Sequence, residues 1–102
     1  MSCQYRLHPK ADEEYTEAYA WYEDKLEGLG ERFITAVRKK IEEIAQHPEV
    51  YGSKSRKEFR EAMVEDFPYF IVYKFHKRKK EIFISSIRHA KRHPKHKYRK
   101  EI

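Results

Sequence analysis

Apolar residues recur with a helical period in the first half of the chain and with a strand period in the second. Ala11, Tyr15, Ala18, Tyr22 and Leu26 are separated by 4, 3, 4 and 4 positions, which aligns them as one stripe of a helix; Tyr19 and Trp21 widen it. Pro9 suits a first helical turn, and Asp12, Glu13 and Glu14 place negative charge where the helix dipole favours it. This pattern predicts a helix over about 9–27. Gly28-Leu29-Gly30 ends it, because glycine reaches the left-handed conformation that a helix C-cap and tight reversal need. Leu29, Phe33, Val37, Ile41 and Ile44 then follow at spacings of 4, 4, 4 and 3. Glu31, Arg38, Lys39, Glu42 and Glu43 occupy the other face. His47-Pro48 stops this second helix, since a residue before proline avoids the helical region. Two amphipathic helices joined so closely make an antiparallel hairpin.

The strand signals flank that hairpin. Gln4–Leu7 alternates as a short strand. Residues 49–58 read as a loop, and Phe59–Val64 as a strand with mixed faces. Pro68 is tolerated at a strand start or on an edge. From Tyr69 to Phe75 both faces are apolar until Lys74, as in a strand covered on two sides. The basic turn His76–Lys80 lacks an Asn-Gly pair, so a longer, open hairpin loop is expected. Glu81–Ile87 is the last strand, with Ile82 and Ile84 on one face and Phe83 and Ile87 on the other. The expected fold is a single α+β domain over residues 1–102, ordered β-α-α-β-β-β. Its helical hairpin covers one side of a small, mainly antiparallel sheet.

Charge changes the picture more than composition does. The chain carries 23 Lys+Arg against 17 Asp+Glu, a net of +6. Residues 1–47 hold 7 basic and 10 acidic side chains, a net of −3, and residues 48–102 hold 16 and 7, a net of +9. Such polarisation presents a basic patch, for which nucleic acid or an acidic protein is the fitting partner. Cys3 is the only cysteine, so an intrachain disulfide is excluded and a cytoplasmic setting is expected. No apolar run approaches the roughly 20 residues of a bilayer span, and the N-terminus lacks the apolar core of a secretory signal. No membrane partner is expected.

An ordered set of short motifs accompanies this pattern: Trp21-Tyr22-Glu23, Gly28 to Phe33 (GLGERF), His47-Pro48, Phe59 to Ala62 (FREA), Phe67 to Tyr73 (FPYFIVY) and Arg88 to Pro94 (RHAKRHP). Together they resemble the RelE/ParE superfamily, the toxin halves of bacterial type II toxin–antitoxin systems of the plasmid-stabilisation type. The resemblance covers nearly the whole chain. It implies a compact toxin that arrests growth and is neutralised by a cognate antitoxin. RelE-like members are ribosome-dependent endoribonucleases (mRNA interferases), whereas ParE-like members inhibit DNA gyrase on the same scaffold. The spacing from Arg92 to Tyr98 resembles that of the nuclease branch, but Glu65 stands where that branch carries a strand arginine.

Cutting RNA by attack of a 2′-hydroxyl needs a base, an acid and cations for the developing phosphorane charge. His89 is the candidate base, since histidine titrates near neutrality. Arg92 would brace the phosphate with its planar fork, and Tyr98 would donate a proton or stack on a base. Arg88 and His93 complete a candidate target-binding tail. The competing reading makes His89 a strand-end packing residue and leaves the others as a solvated, anion-binding tail. Arg60 either contacts a phosphate or an antitoxin carboxylate, or pairs with Glu58 or Glu81 across strands. Lys74 and the turn Lys77–Lys80 either touch phosphates or keep a sheet edge soluble. The aromatic residues of the first helix are expected to pack rather than to stack on bases. His89, His93 and His96 lack a fourth ligand of suitable spacing, so no metal and no cofactor are expected. Outside the toxin class, the same features fit a non-catalytic basic module that binds RNA or an acidic protein.

Overall fold

The helical stripes and the alternating strands meet on one side of a sheet in the computed structural model, which describes residues 3–52, 58–91 and 98–101. The elements are β1 (Gln4–Leu7), α1 (Pro9–Lys25), α2 (Leu29–Gln46), β2 (Phe59–Met63), β3 (Tyr69–His76) and β4 (Glu81–His89). The sheet order is β1-β4-β3-β2. β1 runs parallel to β4, and the other two pairings are antiparallel. The α+β class and the order β-α-α-β-β-β are as the pattern predicts.

α1 begins at an N-cap, His8, whose Nδ1 accepts the Lys10 N–H at 3.0 Å. The helix stops two residues short of the expected end. Leu26 turns extended and is 61% exposed, so it leaves the stripe. Trp21 also falls outside the core, at 53% exposure. It stands edge-on to Tyr22 and carries the Lys25 ammonium over its ring. Of the remaining stripe, Ala11, Ala18 and Tyr22 are buried and Tyr15 is half-buried against the core.

The motif residues Glu23 and Gly28-Leu29-Gly30 form one device. The Glu23 carboxylate accepts the N–H groups of Gly28 and Gly30 at 3.0 Å each, satisfying donors that the start of α2 leaves without helical partners. Gly28 has φ 88°, which glycine adopts without strain. A Cβ on Gly30 would lie 2.9 Å from the Tyr19 ring.

The core lies between this hairpin and the sheet. Phe33 is fully buried and packs its ring against Tyr22, Phe67 and Tyr69, with centroids 5.2, 5.3 and 5.0 Å away, within the range of favourable edge-to-face contacts. Val37, Ile41 and Ile44 continue along α2 over Ile71, Tyr73, Ile82, Ile84 and Ile87.

The faces of β4 differ from simple alternation. Val72 is registered on Ser86 and Tyr73 on Ile84, so Ser85 is an extra residue, a β-bulge. The bulge reverses the parity of everything after it. Ile87 therefore joins Ile82 and Ile84 in the core rather than sharing the Phe83 side. The hairpin loop Lys77–Lys80 is longer than two residues, as expected, but it is closed: Lys80 N–H donates to Lys77 O at 3.3 Å.

Gly30→Ala should cost about 1–3 kcal/mol, because the new methyl must displace the Tyr19 ring. Urea unfolding of the full chain checks this; a variant as stable as the parent would contradict the close approach.

Candidate functional site

The two faces of the sheet have different fates. α1 and α2 cover one. The other carries Phe59, Glu61 and Met63 from β2, Phe70, Val72, Lys74 and His76 from β3, and Phe83 and Arg88 from β4, as the register places them. This second face is crossed by the C-terminal residues 98–101.

At its centre is an ion pair that spans β3. Glu61 is 5% exposed at its side chain and Arg88 13%, with Arg88 Nη2 donating to Glu61 Oε1 at 2.8 Å. The Arg88 guanidinium lies over the Phe70 ring at 4.8 Å. Among the described residues its buried Nε has no hydrogen-bond partner. Tyr98 donates its hydroxyl to Glu61 Oε2 at 3.0 Å and lays its ring on Phe59, 5.1 Å between centroids. Lys74 Nζ lies 5.9 Å from the centre of that Phe59 ring. Arg88, Tyr98 and Lys74 are thus gathered, as a shared site requires, but around an internal carboxylate.

His89 is elsewhere. Alternation at the end of β4 turns it to the helix-covered face, where its ring stands edge-on to Tyr69 at 5.2 Å. Its Nδ1 accepts the Lys91 N–H at 3.0 Å. The structure therefore separates His89 from Tyr98 by the thickness of the sheet. Arg92 and His93, together with Pro94 and His96, lie outside the described residues.

Arg60 is also turned to the helix side, registered opposite Tyr73. Neither Glu58 nor Glu81 is its partner: its Nη1 donates to the carbonyls of Tyr51 and Glu49. Tyr73 donates to the Pro48 carbonyl at 2.7 Å, and burial raises its phenol pKa well above the ordinary tyrosine value. Arg60 and Tyr73 together clamp the chain leaving α2. Glu65 is exposed and pairs loosely with Lys39 at 3.5 Å.

Three residues to which the sequence pattern assigns no site role, Glu14, Arg99 and Glu101, organise the rest of the site. β1 ends at Leu7, opposite Ile84, so on that side no described strand pairs with the following part of β4. Glu14 of α1 fills the gap, accepting from Ile87 N–H at 3.0 Å and from Ser86 Oγ at 3.1 Å. Arg99 donates to the Ser85 carbonyl at 2.7 Å and to Glu14 Oε2 at 3.0 Å. Glu101 closes the strap, accepting from Arg6 Nη2 at 2.6 Å and contacting His76 Nε2. Burial alone would raise the Glu101 pKa. The hydrogen bond and charge of His76, with Arg6, outweigh it and hold the carboxyl below its ordinary value.

Among the described residues no cluster of His, Cys, Asp and Glu could hold a metal ion, and no helix is long and apolar enough to cross a membrane. A groove between α1 and the end of β4 is lined by Trp21, Tyr22, Pro68, Ile87 and His89.

Glu61→Ala should destabilise the fold by about 3–5 kcal/mol, because it leaves the Arg88 charge buried without its partner; chemical denaturation reads the loss. The strap should also respond to acid. A carboxyl with a lowered folded-state pKa stabilises fully above its unfolded value, about 4.3, and that stability is lost as pH falls through the folded value. Between pH 6 and pH 3 the wild type should therefore lose more thermal stability than Glu101→Gln. Equal losses would show that Glu101 contributes nothing to holding the strap.

Comparison with known proteins gives this architecture its family. Residues 5–94 match the family model described as ParE toxin of type II toxin-antitoxin system, parDE. No curated protein sequence matches the chain. Among solved structures, the chain is similar to a double arginine-to-alanine mutant of the E. coli toxin RelE in the free state. That match has 20% identity and a TM-score of 0.62, covering 89% of this chain and 86% of the other. It is equally similar, at 20% identity and TM-score 0.62, to a chain of the chromosomal ParDE toxin–antitoxin system from P. aeruginosa, covering 88% of this chain and 98% of that one. The bulged four-stranded sheet, the capped helical hairpin and the match over residues 5–94 agree: the chain belongs to the ParE toxin family of type II toxin–antitoxin systems.

Proposed function

We propose that this toxin arrests growth by binding DNA gyrase without covalent chemistry, rather than by cutting mRNA on the ribosome. The observation that carries the proposal is the Glu61 carboxylate seated between Arg88 and Tyr98. An RNA-cutting site needs an uncompensated cation facing the scissile phosphate. The Arg88 guanidinium is already neutralised from within, and a phosphate reaching it would have to displace a buried partner. Proton transfer also needs base and acid within hydrogen-bond reach of one reacting centre. His89 and Tyr98 occupy opposite faces of the sheet, which argues against their sharing one. Glu65, at the position of the nuclease branch's strand arginine, points the same way, as does the ParE description of the matching family model.

The cognate antitoxin is proposed as a protein with an acidic, amphipathic segment, laid along the helical hairpin and over the basic end of the sheet. The cell's cytoplasm, where gyrase works, is the proposed site of action.

Two assays on the full chain test the proposal together. The toxin should block supercoiling by purified gyrase while mRNA in a translating extract stays intact, and both growth and supercoiling should recover when the antitoxin is supplied. Specific mRNA cuts lost in Arg92→Ala or His89→Ala, with supercoiling unaffected, would overturn it. Tyr98→Phe should keep toxicity within about twofold, since gyrase binding asks no proton transfer of it and the ring contact with Phe59 remains.

A further inference from the structure

The turn between β3 and β4 carries Lys77, Arg78, Lys79 and Lys80 in succession, and all four are exposed. We propose that this turn is a docking site for the phosphate backbone of duplex DNA, separate from the Arg88–Glu61–Tyr98 face.

Lysines often protect a sheet edge from pairing with another chain. That purpose does not apply at this turn. In the order β1-β4-β3-β2, the two strands it joins are the central pair, and the outer strands β1 and β2 are joined by other loops. Nor is the charge spent internally. Among the described residues none of the four cations has an ion-pair partner, whereas the acidic group at the foot of the turn, Glu81, is held by Arg6 at 3.1 Å. Four adjacent like charges repel.

The turn is also fixed in shape. Lys80 has φ 51°, its N–H closes onto Lys77 O, and its carbonyl accepts from Gln4 N–H at 3.2 Å, tying the turn to β1. A rigid frame thus presents four flexible cationic stems.

The side-chain types select among polyanions. The turn has no aromatic ring on which an unpaired base could stack. It has no apolar residue to bury in a lipid surface. Three of the four are lysines, point charges suited to a diffuse phosphate field rather than to the paired oxygens of a fixed carboxylate. A duplex offers that field, about one charge per 1.7 Å of axis. The idea goes beyond gyrase binding and does not depend on it, although a toxin aimed at a DNA-bound enzyme would gain local concentration from it.

The test is fluorescence anisotropy of the full chain on a 20-base-pair DNA duplex, without gyrase. Four phosphate contacts give a log–log salt slope near −3.6, or roughly a hundredfold weaker binding at 200 mM than at 50 mM salt. The combined variant Lys77→Gln, Arg78→Gln, Lys79→Gln and Lys80→Asn should abolish most of that slope, with about one unit lost per cation removed. Asparagine is chosen at Lys80 because it tolerates positive φ. The double variant Lys77→Gln and Lys79→Gln should lose about half the slope, and far-ultraviolet circular dichroism of both should match the parent. Salt-insensitive binding by the parent, an unchanged slope in the variants, or binding at least as tight to duplex RNA or to anionic phosphatidylserine vesicles would each overturn it. Gyrase inhibition is read separately: its absence alongside DNA binding refutes only the gyrase proposal, and the converse refutes only this one.

Discussion

Much of this protein depends on one buried ion pair that reaches over a strand. Glu61 on β2 and Arg88 on β4 close across β3 on the face the helices leave open. Such a pair is a poor source of net stability, because desolvating two charges offsets most of their attraction. Its value here is positional. With Glu61 fixed, Tyr98 has an acceptor and a neighbouring ring, Phe59, so residues 98–101 have a defined place to land. With Arg88 fixed over Phe70, the end of β4 keeps Ile87 facing the core and His89 facing Tyr69.

The second constraint is the shortness of β1. A strand of four residues cannot cover a neighbour of nine, and unpaired backbone groups beside it would be costly if buried. Side chains supply what the missing backbone does not. Glu14 accepts from the Ile87 N–H, and Arg99 donates to the Ser85 carbonyl. The bulge at Ser85 occurs where the pairing with β1 gives out. Helix, sheet edge and C-terminal strap are therefore joined at one point by the Glu14–Arg99 pair.

The elements were legible because their signals are local. Stripes at spacings of three and four, breaks at Gly28 and Pro48, and alternation in β3 each depend on a few neighbouring residues. Parity after Ser85 was not legible, since a bulge is defined by pairing with another strand and leaves no mark in serine itself. Leu26 and Trp21 misled for a related reason: periodicity gives a face, but where α1 stops decides whether that face still meets the core. The site was the least legible part. Arg88, Tyr98 and Lys74 were identifiable from residue type, yet Glu61 looked like one more strand-surface carboxylate. Only the register of three strands brings it to Arg88. Glu14 likewise reads as a helix-start carboxylate until the length of β1 is known.

The cations of the chain thus include two kinds. Arg6, Arg60, Arg88 and Arg99 hold carboxylates or carbonyls of the same chain; they are structural charge, with little field left to offer a ligand. Among the described residues, the side chains of the lysine-rich turn hold none. The planar fork of arginine satisfies several acceptors at once, whereas the lysines of the turn each offer a hydrated point charge. A net charge of +6 therefore overstates what the open face of the sheet can attract and understates the field at the turn. Recognition of a polyanion should follow the unspent charge, not the total.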